Sequence, residues 1–275
     1  MNMIATAQRS SENEAMAEID LRIRNTFAVL GKVAQGIIDG NITAVITSGA
    51  AGCGKTYTLE KALQKAESDG LVNFQSVKGA MSAIGLYRQL WECREPGNVL
   101  VIDDCDGIFG DLDALNLLKA ALDTGKSRKV HWNKESRVLD DEGIDRSFEF
   151  EGAVVFITNI DFTAEIEADK KMSPHYKALM SRCMYVDLGI HSKREILVRV
   201  GQVVFSQSFL KENGITKAQS QEMMRWLAPN LSRVRVLSIR TVLQLASLVK
   251  TDEDWKSMAE SIMLKPKRYV EAQEG

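Results

Sequence analysis

The chain of 275 residues is 45% hydrophobic and 26% charged, with 35 Lys and Arg against 37 Asp and Glu. That length holds one large domain, or a large domain with a small companion, and so average a composition excludes collagenous, low-complexity and wholly disordered chains. A formal charge of -2 excludes coating of nucleic acid or anionic lipid by bulk charge, so any such contact is a local patch. Cys53, Cys93, Cys105 and Cys183 show no Cys-x-x-Cys spacing. This argues against a zinc knuckle or a disulfide framework and for a reducing cytoplasm. The first ten residues lack a signal-peptide core, and no run reaches the roughly 18 apolar residues of a membrane span, so no membrane partner is expected.

Residues 11 to about 39 read as one amphipathic helix, opened by a Ser11–Glu14 capping box and closed by Gly40. Ile23, Phe27, Leu30, Ala34 and Ile37 form its apolar stripe, which suits packing on the body of the protein or docking of a partner. From residue 42 the texture changes to apolar β-branched runs: 42–47, 71–77, 99–102, 154–158 and 184–188 read as five strands. Helical patterns lie between them, such as Leu59, Ala62, Leu63 and Ala66, then Leu112, Leu115, Leu118 and Leu122. Continuous rather than alternating hydrophobicity predicts strands buried on both faces, hence an α/β fold with a five-stranded parallel sheet covered by helices. Beyond residue 191 the strand signal stops. A second capping box, Ser192 with Glu195, opens helical patterns that run to about 264, broken at Gly214 and Pro229. The expected organisation is an N-terminal helix (1–40), an α/β domain (41–190), a small all-helical domain (191–264) and a polar tail (265–275).

Gly49-Ala50-Ala51-Gly52-Cys53-Gly54-Lys55-Thr56 fits G-x-x-x-x-G-K-[ST], a pattern that arises by chance in a chain this long in only about one sequence in a hundred. A strand runs into it and a helix leaves it, as the phosphate-loop chemistry requires. Glycines let backbone N–H groups turn inward as an anion nest, the helix N-terminus adds positive partial charge, Lys55 reaches the β- and γ-phosphates, and the Thr56 hydroxyl ligates Mg2+. With Tyr57 the run Gly49–Tyr57 is the candidate ATP-binding segment, and ATP and Mg2+ are the expected ligands. Val99–Asp104 supplies the partner: four apolar residues of a strand followed by two carboxylates at its C-terminal end, where open α/β sheets hold ligands. Asp103 is the candidate magnesium ligand, and Asp104 the candidate general base for the attacking water.

Over about residues 42–250 these features resemble the AAA+ ATPases, a P-loop NTPase family. Val154–Asn159 resembles the sensor 1 strand, which in that family lies between the two strands just described and would direct Asn159 into the gap between Lys55 and Asp104. Ser181-Arg182-Cys183 resembles the Ser-Arg-Cys motif of clamp loaders, which implies that Arg182 acts in trans on a neighbouring subunit's γ-phosphate. Ser238-Ile239-Arg240-Thr241 resembles sensor 2, implying that Arg240 reaches the nucleotide from a helical lid. The resemblance implies ATP hydrolysis at the interfaces of a ring or spiral, six subunits being the family norm. Many AAA+ unfoldases carry Asp-Glu where this chain has Asp103-Asp104. The Asp-Asp form resembles that of bacterial replication initiators and helicase loaders, which implies slow, switch-like hydrolysis. The compact form resembles small AAA+ ATPases of phages and mobile elements, placing the chain in a bacterial or phage-infected cytoplasm.

The segment 126–151 alternates Val130 and Trp132 with polar residues, then Phe148 and Phe150 with Glu149 and Glu151, which predicts two short antiparallel strands with a polar tip. Its place matches the pre-sensor 1 hairpin of some AAA+ branches. Lys126, Arg128, Lys129, Lys134 and Arg137 with Trp132 suit a phosphate backbone with base stacking, whereas Asp140, Asp141, Glu142 and Asp145 equally suit cross-strand ion pairs. Lys78, in a loop without the aromatic residue of peptide-gripping unfoldases, is a further candidate for nucleic acid or an ordinary loop lysine. The expectation is therefore action on DNA, in replication, recombination or transposition, alone or with a partner protein; the alternative is a protein-remodelling ATPase. Cys53, inside the loop, is expected to be shielded from alkylation by ATP.

Overall fold

The computed structural model describes residues 15–125 and 127–266. The Ser11–Glu14 capping box, Lys126 and the tail from residue 267 lie outside the described residues. Helix α1 (Met16–Ile38) ends as expected: Gly40 takes φ 72° and Asn41 N–H donates to Gly36 O at 2.9 Å. Helix α2 (Lys55–Ser68) closes in the same way, with Gly70 at φ 70° and Leu71 N–H bonded to Ala66 O at 2.9 Å. In each case the residue after glycine is spent on an orphan helix carbonyl. Strands β1 (Ala44–Ser48) and β2 (Asn73–Lys78) therefore each start two residues later than their apolar runs, and Leu71 is exposed.

Next along the chain come α3 (Ala83–Glu92), β3 (Asn98–Asp103), α4 (Leu112–Ala121), β4 (Lys129–His131), α5 (Arg137–Asp141), β5 (Ser147–Glu149), β6 (Ala153–Thr158), α6 (Phe162–Glu167), α7 (Ser173–Met180) and β7 (Met184–Asp187). The main sheet is parallel in the order β2-β3-β6-β1-β7. Strand β6 pairs with β1 on one side, Ser48 opposite Thr158, and with β3 on the other, Asp103 opposite Ile157. Strands β1, β3 and β6 are buried almost throughout, as continuous hydrophobicity predicts. Strand β2 departs from that expectation: it is an edge strand, exposed at Asn73, Ser76 and Lys78 and only partly buried at the residues between them.

The chain divides into two compact units. The sheet unit, residues 26–49 and 55–188, has a core built from Ile46, Leu100, Ile102, Phe109, Leu115, Leu118, Phe156 and Phe162. The insertion belongs to this unit: Val130 and Phe148 form a cross-strand pair, and Tyr87 of α3 packs on Trp132 at 5.6 Å and Phe148 at 5.2 Å. Its tip is not a plain turn. Ser136 caps α5, Leu139 and Ile144 are buried, and Arg146 ties Asp140 and the carbonyls of Lys134 and Ser136. Burying those two apolar residues holds a helical turn where sequence alternation shows only a polar tip.

The described residues of the helical unit lie within 1–25, 50–54 and 189–275. It contains α8 (Lys193–Val204), α9 (Gln207–Asn213), α10 (Lys217–Leu227), α11 (Ile239–Thr251) and α12 (Trp255–Met263), packed around Val200, Val204, Met223, Leu227, Leu245 and Trp255. The capping box of Ser192 and Glu195 is formed, Gly214 takes φ 61° at the end of α9, and Pro229 sits in a 3-10 turn. Arg22 of α1 donates to Glu195 Oε1 at 2.6 Å and to Gly189 O at 2.7 Å, so the first part of α1 belongs to this unit.

Phe162 is fully buried and meets Phe109 at 5.1 Å and Tyr176 at 5.0 Å. Phe162→Ala is expected to lower stability by about 3–5 kcal/mol, measured as a lower urea midpoint with an unchanged m-value.

Candidate functional site

In the sheet unit, three strand ends bring candidate side chains together. Lys55, the first residue of α2, is buried, and its Nζ donates to Gly49 O at 2.6 Å and to Asn159 Oδ1 at 2.9 Å. Asn159 follows β6, and its Nδ2 donates to Asp104 Oδ1 at 2.8 Å. One amide thus joins the ammonium to the carboxylate, its oxygen on the cation and its nitrogen on the anion, the only assignment that satisfies both. Asp104 itself takes φ 53°, a left-handed conformation tolerated by aspartate at some cost, while its N–H bonds Ile157 O at 3.0 Å.

Beside this chain lies a second pair. Thr56 Oγ1 is 3.1 Å from both carboxylate oxygens of Asp103, which is buried at the end of β3. A hydroxyl and a carboxylate are hard oxygen donors of the kind that hold Mg2+ together with substrate phosphates, so this donor set fits that ion. Lys78 stands here too: its Nζ is 2.9 Å from Glu60 and 3.3 Å from Asp103. The hydrogen bond to Glu60 chiefly holds its ammonium pKa above the ordinary value. Lys78 therefore partly neutralises Glu60 and Asp103 and is half-exposed.

Positioning residues without a sequence motif surround Asn159. Thr158 Oγ1 donates to Asp106 Oδ1 at 2.6 Å, and Ser48 Oγ donates to Ile160 O at 2.6 Å. The residues on both sides of Asn159 are thus pinned. Their only sequence signal is a hydroxyl at the end of each apolar run.

In the helical unit, residues 50–54 of the loop are held by their carbonyls. Ile239 N–H donates to Gly52 O at 2.9 Å, and Arg199 Nε donates to Cys53 O at 3.1 Å. Burial pushes the Arg199 guanidinium down to about 10, and Gln202 accepts from its Nη1 at 3.1 Å. Arg199 was not legible as a site residue, because an arginine inside a helix carries no motif. Arg240 is exposed in the first turn of α11, next to Ile239. Gly52 has φ 69°, and a Cβ there would sit 2.8 Å from Ser238 Cβ.

The remaining candidates are dispersed. Tyr57 is exposed, with Lys61 over its ring. Arg182 follows α7, half-buried near Asp123. In the insertion, Arg128 donates to Gly152 O at 3.0 Å and stacks on Phe150, and Trp132 is partly buried against Tyr87. Lys134 pairs with Asp113, and Lys129 is exposed on β4. Arg128 and Trp132 are thus occupied in packing the hairpin, while Lys129 and Lys134 present charge at its surface.

Cys53 is only 1% exposed, which corrects the expectation that ATP is what shields it. Cys93 and Cys105 are also buried, and burial pushes the Cys183 thiol up to about 12. Maleimide labelling of the folded protein is expected to be slow at all four with or without ATP, and fast after unfolding, as read by mass spectrometry. Gly52→Ala is expected to lower stability by about 1–3 kcal/mol through backbone strain and to weaken nucleotide binding, checked by thermal shift and titration of a fluorescent nucleotide.

No family model matches the chain. It is 46% identical over 247 residues, 90% of this chain and 76% of the relative, to a protein described as an uncharacterized 36.7 kDa protein in the nrdC–mobD intergenic region of Enterobacteria phage T4. Among solved structures, domain III of the Thermotoga maritima replication initiation protein DnaA matches with a TM-score of 0.51 at 10% identity, over 87% of this chain and 92% of that one. The Thermotoga maritima RuvB Holliday junction branch migration motor gives a TM-score of 0.49 at 14% identity, over 87% of this chain and 68% of that one. Among the described residues, no helix is long and apolar enough to cross a membrane.

Proposed function

We propose that this chain, which belongs to the family of the phage T4 protein and shares the fold of domain III of a replication initiation protein, is an AAA+ ATPase that binds and hydrolyses ATP as an oligomer and uses the cycle to act on nucleic acid. The observation that carries the ATPase reading is the chain Lys55–Asn159–Asp104 beside the pair Thr56–Asp103. Gly49–Tyr57 would bind the nucleotide, with Lys55 on its terminal phosphates and Arg240 contributing from the helical unit. Mg2+, held by Thr56 and Asp103, would supply neutralisation of phosphate charge.

This chain's own residues then have defined tasks. Lys55 compensates negative charge from a buried position, where a fixed ammonium is worth more than in water. Asn159 keeps Asp104 and Lys55 at a set separation and can orient a water. Asp104 accepts that water's proton, its exposed carboxylate giving water a route in. Being one methylene shorter than glutamate, Asp104 holds the water less closely, which supports slow, switch-like hydrolysis. Arg182 acts in trans, so turnover depends on assembly, with a hexamer as the reading.

The nucleic-acid reading rests on the fold shared with a replication initiation protein and on the surface charge of Lys78, Lys129 and Lys134. Lys126 joins them by its place in the sequence. A host-cell cytoplasm is the expected setting.

Lys55→Ala is expected to abolish turnover, and Asn159→Ala to retain ATP binding while losing at least about a hundredfold in rate, short of an arginine finger's contribution. Wild-type turnover should lie below roughly ten per second, inside the usual phosphoryl-transfer range. DNA is expected to raise that rate and unfolded protein to leave it unchanged. The reverse pattern would replace the nucleic-acid reading with protein remodelling.

A further inference from the structure

Lys78 closes β2 and stands opposite Asp103 in the parallel pairing of β2 with β3. Its ammonium serves two carboxylates, Glu60 Oε1 at 2.9 Å and Asp103 Oδ2 at 3.3 Å. Glu60 is held in turn, since Ser76 Oγ donates to the same Oε1 at 2.9 Å. Two periodicities produce this placement. Thr56 and Glu60 are one turn apart on α2 and share a face, while Ser76 and Lys78 are alternate residues of β2 and share a side. Asp103 thus meets Thr56 Oγ1 at 3.1 Å from both its oxygens and the Lys78 ammonium on one of them.

An ion pair at a sheet edge needs only one carboxylate and contributes little. Here a second carboxylate takes part, and it is the buried candidate metal ligand. The affinity of an oxygen site for a divalent cation rises with the number of its negative ligands. Glu60 and Asp103 without an ammonium would therefore hold such an ion before any nucleotide arrived. Lys78 cancels one of their two charges and engages Asp103 Oδ2, so the remaining negative charge has to come from phosphates. We infer that Lys78 sets the metal affinity of the Thr56 and Asp103 pair: its ammonium, anchored by Glu60, keeps a divalent cation off the nucleotide-free chain, so that the ion enters together with the nucleotide. The inference rests on the reading of Thr56 and Asp103 as the metal-holding pair. It adds control of that ion by Lys78 and by Glu60, a residue that no sequence motif marks. A contact of Lys78 with nucleic acid would use the exposed side of the same ammonium, and the test excludes it by omitting DNA.

The test is Mn2+ binding to the full, nucleotide-free chain, read from the EPR signal of the free ion, with folding checked by thermal melting. Lys78→Gln keeps a hydrogen-bond donor and drops the charge. It is expected to bind Mn2+ at least about tenfold more tightly than the wild type, the lower end of what partners behind a metal ligand contribute. Lys78→Met, a second uncharged variant, should behave alike, and Lys78→Arg should stay as weak as the wild type. Adding Glu60→Gln or Asp103→Asn to Lys78→Gln should remove the gain. Unchanged Mn2+ affinity in the folded uncharged variants overturns the inference, and so does a gain that survives either second substitution. Titration of a fluorescent ATP analogue with Mg2+ reads the proposed function separately. Analogue binding by the wild type beside unchanged Mn2+ affinity in Lys78→Gln overturns this inference and leaves that function standing, whereas a wild-type chain that binds no analogue overturns the function itself.

Discussion

The hydrogen bonds of one amide, Asn159, organise the site. They form because β6 runs between β1 and β3 in a parallel sheet, so that three chain segments far apart in sequence end at the same edge. The register makes this quantitative: Ser48 lies opposite Thr158, and Asp103 opposite Ile157. A shift of one residue in either pairing would turn Asn159 to the other face of the sheet. The fully apolar burial of these three strands makes such a shift costly, so the core sets the chemistry's geometry rather than merely supporting it.

Polar positions at the strand ends complete that geometry. Ser48 donates to the Ile160 carbonyl, and Thr158 accepts from the Ile160 N–H while donating to Asp106, so the backbone just after Asn159 is held. Asp104 accepts a left-handed backbone in the same place. Strain and buried polar bonding concentrate where the residues must be aimed, while the hydrophobic strands beneath carry the stability.

The helical unit treats its share of the phosphate loop differently. Two loop carbonyls, Gly52 and Cys53, are bonded by Ile239 and Arg199, and neither bond uses a loop N–H. Arg22 and Gln202 fasten the start of α1 to the same unit through Glu195, Gly189 and Asp20. The insertion is a further case of charge put to structural use: Arg128, Arg146 and Arg88 bond carbonyls or acids within the sheet unit. Its net local charge therefore overstates what a polyanion can meet.

Sequence alone determined the five strands, the phosphate loop, the paired aspartates and the caps at Gly40, Ser192 and Gly214, because each depends on local periodicity or on a backbone preference of its own residue type. It also led, through family resemblance, to Asn159 as the residue facing Lys55 and Asp104. Only tertiary structure decided the rest. The edge position of β2 exposes residues that read as a buried strand, and it brings Lys78 to Asp103 from a neighbouring strand. The buried state of Cys53 depends on what packs around the loop. Trp132 lost its apparent freedom to Tyr87 of α3, distant in sequence, and Arg128 lost it to the Gly152 carbonyl and the Phe150 ring. Arg199 reaches the loop through a partner distant in sequence, the Cys53 carbonyl. Local chemistry is written in adjacent residues, whereas charge compensation and burial depend on neighbours that only the folded chain supplies.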